Sequence, residues 1–218
     1  KKDTYQFFDV KKEIEVIPNF IDPSLYRFAK DLELRSQFAK DDDVVITHIS
    51  NFRKVKRVDD VICIFEGVQK QMSAVLLMVG DGPELHQVKH LSKELGIDHK
   101  VFFLGKSKRI EQITSISDVF LLPSETESFG LVALEAMASG VAVVSSNVGG
   151  LPEVNIDGVT GFLKDVGDVE GMTASVLEIL KDEDNLSHFK ANALKHAKNF
   201  ELSKIVPLYE RLYHSLLH

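Results

Sequence analysis

The sequence predicts an α/β fold with a Rossmann-like, doubly wound parallel sheet, and two observations support this prediction. Short apolar runs without polar alternation recur along the chain, and a longer segment of helical character follows most of them. Strands that are apolar on both faces are typical of parallel sheets, which helices cover on both sides. Right-handed crossovers then produce the doubly wound arrangement, in which ligands bind at the carboxyl ends of the strands.

The predicted strands and helices alternate in order. Short apolar runs indicate buried strands at 44–49, 74–79, 101–104, 119–122, 141–144 and 161–163. Helices are predicted after the earlier strands, from their length or apolar spacing, at 58–71, 83–95, 109–116 and 129–139. The tail at 168–218 is helical in pattern throughout. A further short strand is expected at 14–17, before the turn signal Pro18-Asn19.

Composition argues against several classes of protein. The net charge of -7 is unfavourable for a general polyanion binder, so no nucleic-acid partner is expected. No apolar run approaches the roughly 18 residues that span a bilayer. Cys63 is the only cysteine, which excludes an intrachain disulfide and favours a reducing cytoplasm. The chain opens with Lys1-Lys2-Asp3-Thr4, so we expect a trimmed sequence, and a homo-oligomer is neither required nor excluded.

Glu135 is the residue that the helical pattern singles out. Its neighbours three and four positions away are apolar or small, and no other charge lies between 131 and 138. A helix that is apolar on all sides is expected to be buried, and a buried carboxylate needs a partner. The hydroxyls of a ribose would be one such partner. A lysine or a backbone group would be another, so both interpretations stay open.

The residues before this helix form a candidate anion site. Ser128-Phe129-Gly130 joins a strand to the helix, whose first N–H groups and dipole attract negative charge. Gly130 would also let a ligand approach the backbone closely. Glu127 precedes this segment, and it either belongs to the site or stabilises the helix N-terminus.

Other loops after predicted strands are also candidates. Cations of Arg53-Lys54-Val55-Lys56-Arg57 would suit a diphosphate, which needs fixed donors. Gly80-Asp81-Gly82-Pro83 and Asn147-Val148-Gly149-Gly150 are either tight turns or places where a ligand meets the backbone. His48 lies inside an apolar strand and is expected to be a hydrogen-bonded core residue. We find no metal-ligand spacing, no Walker motif and no serine or cysteine triad, so no metal is expected.

Together these motifs resemble family 4 of the glycosyltransferases, the group 1 enzymes, which are retaining enzymes of the GT-B architecture. The resemblance covers almost the whole chain. It rests on the Glu-x7-Glu pattern of Glu127 and Glu135, and on the segments Ser124-x2-Glu127-Ser128-Phe129-Gly130, Val79-Gly80-Asp81-Gly82-Pro83 and Gly149-Gly150-Leu151-Pro152-Glu153.

The resemblance implies two facing Rossmann-like domains, of which this chain would be the second. Residues 1–22 would then be the end of the first domain and the interdomain linker. Residues 23–198 would form the nucleotide-sugar donor-binding domain, and residues 199–218 a helix that crosses back to the first domain. The chain alone is therefore expected to bind nucleotide weakly and to transfer nothing.

The resemblance also implies roles for individual residues. The expected catalytic residues, beside the transferred sugar and the diphosphate, are Glu127, Lys56 and Arg53. The expected donor-binding residues are Glu135 for the ribose, with Phe129, Gly130, Leu131, Gly105, Lys106, Gly80 and Asn51. The usual arginine of the family corresponds to Asn51 here, and Arg53 is its expected substitute at the diphosphate.

A narrower resemblance lies in residues 48–58, which are similar to the bacillithiol-pathway enzymes that join N-acetylglucosamine to L-malate. Those enzymes share the departure at Asn51. This resemblance implies UDP-N-acetylglucosamine as donor substrate, L-malate as an acceptor bound mainly by the other domain, and no cofactor. Two alternatives stay open: another GT-B enzyme, such as a sugar-nucleotide epimerase or a phosphorylase, and a non-catalytic nucleotide-sugar-binding domain.

Overall fold

A computed structural model describes residues 2–26 and 31–217 of the chain. Its strands are β1 (Val44–Ser50), β2 (Ala74–Gly80), β3 (Val101–Gly105), β4 (Val119–Leu122), β5 (Ala142–Ser146) and β6 (Gly161–Lys164). They form one six-stranded sheet in the order β3-β2-β1-β4-β5-β6, and every pairing is parallel. The predicted α/β class and doubly wound parallel sheet are confirmed.

The α-helices of the described residues are α1 (Lys2–Phe7), α2 (Leu32–Ser36), α3 (Val58–Gln69), α4 (Leu85–Glu94), α5 (Ile110–Ser115), α6 (Leu131–Ala138), α7 (Leu151–Val154), α8 (Val169–Ile179), α9 (Glu183–Ala197) and α10 (Leu202–Leu216). Each helix predicted after a strand is present, with ends displaced by up to two residues. The helical tail is confirmed by α8, α9 and α10. No helix in the described ranges is both long and apolar enough to cross a bilayer.

Two apolar layers hold the sheet, because the side chains of each strand alternate between its faces. Val45 and Val143 are fully buried in the layer beneath α6 and α9. Their neighbours Ile46 and Val144 are fully buried in the opposite layer, beneath α3 and α8. Since full burial of such a side chain contributes about 1.5–3 kcal/mol, these layers account for the strands' continuous apolar sequence.

The order of the strands places a topological switch point at the middle of the sheet. The chain runs outward from β1 through β2 to β3, returns to β4 beside β1, and then runs outward to β6. The loops that leave the carboxyl ends of β1 and β4 therefore diverge to opposite sides. Open α/β sheets bind ligands in the crevice at such a point, which here lies between residues 51–57 and 123–130.

The strand expected at 14–17 is absent, and that prediction is wrong. Residues 13–20 are irregular, and Val16 is 51% exposed. A strand needs a neighbouring strand to complete its backbone hydrogen bonds, and none of the described strands lies beside this segment. The segment is instead attached at Ile21, which donates to Phe200 O and accepts from Leu202 N, both over 2.9 Å.

The last helix, α10, has much of its apolar surface exposed. Ile205 is buried, whereas Tyr213 and Leu216 are 60% and 74% exposed, and Leu217, directly after the helix, is 78% exposed. An unpaired apolar helix face of this kind is typical of a docking surface. The division of the chain at residues 22 and 198 stays a prediction.

Candidate functional site

The loops after β1 and β4 meet at the switch point. The N–H of Glu125 donates to the carbonyl oxygen of Val55 over 2.8 Å, which joins the two loops through their backbones. The Nζ of Lys56 forms an ion pair with the Oε1 of Glu127, and the Oγ of Ser124 donates to the same oxygen over 3.1 Å. The fold therefore brings two predicted site residues into contact across the crevice.

This ion pair is partly shielded from water. The side chains of Lys56 and Glu127 are 20% and 12% exposed. Two charges in such a place stabilise each other only while both are present, because removal of one leaves the other desolvated and unpaired. The arrangement can hold an anion against the ammonium group and a hydroxyl against the carboxylate.

The loop after β5 fixes the backbone of Glu127. The N–H of Gly150 donates to the carbonyl oxygen of Glu127 over 3.1 Å. Gly149 has a φ of +55°, and a Cβ at this position would lie 1.7 Å from the same oxygen. Only glycine fits such a contact. The Gly-Gly pair thus has a packing role that needs no ligand.

Glu135 is half-buried on α6, so the expected burial of this carboxylate is only partial. Leu131, Val132 and Glu135 share the side of this helix that the core leaves uncovered. Burial raises the pKa of Glu135, whereas a hydrogen bond from the side chain of Tyr26 lowers it. Burial and the carboxylate of Glu135 raise the pKa of Tyr26, so its hydroxyl remains a donor at neutral pH.

The helix that carries Glu135 begins two residues later than predicted. Gly130 precedes α6 with a φ of +90°, a left-handed conformation that interrupts the helix and separates Phe129 from it. The ring of Phe129 instead packs against Phe200, with 5.8 Å between centroids. Leu131 is the first helical residue and is 42% exposed. The N–H groups of Ala133 and Leu134 donate to the carbonyl oxygen of Gly130, over 3.0 and 3.2 Å. The N–H groups of Leu131 and Val132 come before them and form the start of the helix, shortly after Glu127 in the chain.

The basic cluster after β1 divides into different environments. Arg57 forms two hydrogen bonds to the carboxylate of Asp60, of 2.6 and 3.0 Å, and so stabilises the start of α3. Arg53 and Asn51 are exposed beside Lys56 in sequence. The structure places both at the mouth of the switch point.

The residues predicted to hold the base lie further along the sheet edge. Gly105 ends β3, two strands away from β1. Lys106 is exposed, and its Nζ lies 3.9 Å from the carboxylate of Asp81, in the loop after β2. Gly80 ends β2, where it packs closely against the backbone of Ser50. The roles of all these residues stay predictions, and no group of three or more side chains suited to a metal ion occurs within the described residues.

Sequence reasoning missed Tyr26. This residue follows the short 3-10 turn Pro23–Leu25 and is half-buried, and its hydrogen-bond partner Glu135 lies on a helix far along the chain. No local pattern identifies such a residue, because its significance depends on a contact between distant segments. His48, by contrast, is a fully buried, hydrogen-bonded residue as the sequence predicted.

A doubly wound parallel sheet with charged loops at its switch point is the architecture of a Rossmann-like ligand-binding domain. The chain belongs to the group 1 glycosyl transferases, whose family model matches residues 30–196. It is the donor-binding domain of that family.

Individual relatives agree with this assignment. The chain is 41% identical to the N-acetyl-alpha-D-glucosaminyl L-malate synthase of Bacillus anthracis, over 99% of this chain and 57% of that protein. Among solved structures, sucrose-phosphate synthase from Thermosynechococcus elongatus is 24% identical with a TM-score of 0.87, over 99% of this chain and 56% of that one. HepE of Anabaena, in complex with UDP and glucose, is 26% identical with a TM-score of 0.81, over 93% of this chain and 56% of that one.

The chain spans little more than half the length of these relatives. It therefore corresponds to one of the two halves of a GT-B protein.

Proposed function

We propose that this chain is the donor-binding half of a retaining glycosyltransferase that transfers N-acetylglucosamine from UDP-N-acetylglucosamine to a small hydroxy acid such as L-malate. The observation that carries the proposal is the contact between Lys56 and Glu127 at the switch point. The particular donor and acceptor are supported by 41% identity to an enzyme named for this product, maintained over 99% of the chain.

The diphosphate of the donor is proposed to lie against Lys56 and the N-terminus of α6. The ammonium group is held by Glu127 and shielded from water, which increases its effect on a nearby anion. The first N–H groups of α6, at Leu131 and beyond, add the positive end of the helix dipole. Arg53 is exposed at the same mouth and is proposed as a further phosphate contact in place of the arginine that Asn51 replaces.

The ribose is proposed to bind Glu135. This carboxylate lies on α6 about one turn beyond the helix start, so a nucleotide whose phosphates meet the first N–H groups extends along the helix toward it. A carboxylate accepts hydrogen bonds from both ribose hydroxyls, as the acidic residue does in dinucleotide-binding folds. The backbone at Gly105 and Lys106 is proposed to meet the base, because it ends β3 at the same edge of the sheet.

In the proposed reaction, the bond between the anomeric carbon and the diphosphate oxygen breaks, and a bond to the acceptor oxygen forms on the same face. The proton of the acceptor hydroxyl passes to the departing diphosphate. Lys56, Arg53 and the start of α6 stabilise the negative charge on the departing diphosphate. Glu127 positions the sugar through its carboxylate. Fixed cations of this kind supply the charge stabilisation, so the proposal includes no metal or cofactor.

The acceptor is proposed to bind mainly to a partner domain that residues 1–22 connect to the donor-binding domain. The exposed apolar residues of α10 are proposed to dock on that domain. Closure of the two halves would bring donor and acceptor together and exclude water. A cytoplasmic location is part of the proposal and is supported by the single, unpaired Cys63.

The test is glycosyl transfer by the full-length protein, with UDP-N-acetylglucosamine and L-malate as substrates. We expect a glycoside with the α-anomeric configuration of the donor, identified by mass spectrometry and proton NMR. Lys56→Met should lower kcat by about 100-fold or more, the typical effect of removing one group that stabilises transition-state charge. The matched control is Lys181→Met, which breaks an exposed ion pair with Glu178 and should leave kcat unchanged.

Other outcomes would replace the proposal. Alteration of the donor without any acceptor would identify an epimerase. Donor binding without turnover, across a panel of hydroxy acids and sugars, would identify a binding protein. Calorimetric titration with UDP, ADP and GDP should show selective UDP binding that weakens in Glu135→Ala, and equal binding of all three nucleotides would contradict the proposed donor.

A further inference from the structure

His48 links two neighbouring strands from a fully buried position on β1. Its Nδ1 lies 2.9 Å from the carbonyl oxygen of Leu121 on β4, and its Nε2 lies 2.8 Å from the Oγ of Ser50 at the end of β1. A carbonyl oxygen can only accept, so Nδ1 carries the proton and donates to Leu121. In the neutral ring Nε2 is then an acceptor, and the hydroxyl of Ser50 donates to it.

The hydrogen bonds continue from Ser50 into the loop after β1. The Oγ of Ser50 accepts from the N–H of Phe52 over 3.2 Å. Phe52 has a φ of +38°, is fully buried, and stacks on His48 with 6.1 Å between ring centroids. A left-handed conformation costs a non-glycine residue about 1–2 kcal/mol, so neighbouring contacts must stabilise it. The imidazole and the hydroxyl provide those contacts.

The other side of the same loop is closed by the residues after β2. A Cβ at Gly80 would lie 1.8 Å from the carbonyl oxygen of Ser50, so the two backbones are in direct contact. The N–H of Glu84 donates to the carbonyl oxygen of Phe52 over 3.0 Å. The 3-10 turn Lys54–Lys56 follows at once, and the N–H of Lys56 donates to Arg53 O over 2.8 Å. A continuous path of short contacts therefore runs from His48 to Lys56.

We propose that His48 and Ser50 are positioning residues for Lys56, with His48 held as the neutral tautomer protonated on Nδ1. The imidazole joins β4, whose following loop carries Glu127, to the loop that carries Lys56, and thereby sets the two charged groups at their separation. His48 is fully buried and acts through the loop. This inference rests on the proposed function, because it assumes that Lys56 binds the diphosphate of the donor.

The test compares Ser50→Ala with a matched control on the same strand, in the full-length protein. Thr47→Val also removes a hydroxyl from β1. The Oγ1 of Thr47 lies 2.6 Å from the Oγ of Ser117, on the face of the sheet opposite to Ser50. We expect Ser50→Ala to lower kcat by about 10- to 100-fold, because a misplaced catalytic group has effects of this size. KM for the donor should change less. Thr47→Val should retain wild-type kcat at a similar melting temperature.

A merely structural role predicts a different result, in which both variants lose activity only in proportion to their loss of stability. That result, or wild-type kcat in Ser50→Ala, would overturn the inference. Ser50→Thr keeps the hydroxyl, and recovery of kcat in this variant would support the inference.

A second readout is independent of glycosyl transfer. Nitrogen-15 NMR at neutral pH should find the proton of His48 on Nδ1, and the opposite tautomer would overturn the inference. If the wild-type protein shows this tautomer but neither binds UDP nor transfers sugar, the proposed function fails and the hydrogen-bond path stands.

Discussion

Acidification is expected to destabilise this domain through His48. Burial lowers the pKa of His48 to about 4, against an ordinary value of 6.5, and the positive charge of Lys56 lowers it further, although the hydrogen bond to Leu121 acts in the opposite sense. Above pH 6.5 the ring is neutral in both the folded and the unfolded state. Below that pH the imidazole of His48 binds a proton in the unfolded chain but stays neutral in the folded chain, so the free energy of unfolding decreases as pH falls.

The size of the effect follows from the difference between the two pKa values. Each pH unit between about 6.5 and 4 lowers the free energy of unfolding by up to about 1.4 kcal/mol. At pH 4.5 the accumulated loss from His48 is therefore about 2–3 kcal/mol. This is a large fraction of the roughly 5–15 kcal/mol by which domains are stable.

Other groups titrate in different ranges or with the opposite sign. Burial raises the pKa of Asp43, but hydrogen bonds from Ser73, Lys40 and Lys100 outweigh it and hold the pKa at about 2. The stability that this carboxylate contributes is therefore lost mainly below about pH 4, outside the pH range in which His48 acts. The pKa of Glu135 is raised, so its contribution increases as pH falls. Both groups are present in a His48→Gln variant, and the difference between the two proteins isolates the imidazole.

The assay is urea unfolding of the wild type and of His48→Gln at pH 7 and pH 4.5. The wild type should lose about 2–3 kcal/mol more than the variant between these pH values. The imidazole resonances of His48 should also stay constant from pH 8 to about pH 5. Equal losses in the two proteins, or titration of His48 near pH 6.5, would refute the reasoning.

Two further predictions concern the site. Gly149→Ala should lower the free energy of unfolding by about 2–4 kcal/mol and reduce kcat, because the new methyl group meets the carbonyl oxygen of Glu127 in a left-handed turn. Gly96→Ala, with a φ of +70° and open space around it, should cost only about 1 kcal/mol in the same urea unfolding, and equal costs would contradict the steric argument. Tyr26→Phe should raise the pKa of Glu135, because it removes a hydrogen bond that favours the carboxylate. Carbon-13 NMR of the carboxyl group measures this shift, and an unchanged titration would exclude the contact.

Much of the site was predictable because its motifs are local. Glu127, Gly130 and Glu135 stand at fixed spacing around one strand-to-helix turn, so their order along the chain already indicates a ligand site. The error at 14–17 has a physical cause, since an apolar run of strand character forms a strand only where a neighbouring edge is free to pair with it. The start of α6 was misplaced because the backbone at Gly130 adopts a left-handed conformation, which the apolar pattern does not report.

The sequence by itself determined the class of the fold, since continuous apolar strands separated by helices can be buried only in a covered parallel sheet. Tertiary structure alone decided which residues meet. The contacts of Lys56 with Glu127 and of His48 with Leu121 exist because β4 pairs with β1, and Tyr26 reaches Glu135 because its segment packs against the same layer as α6. Periodicity along a chain reports which face of an element is buried, whereas the choice of neighbouring strands depends on how all the apolar faces are covered at once.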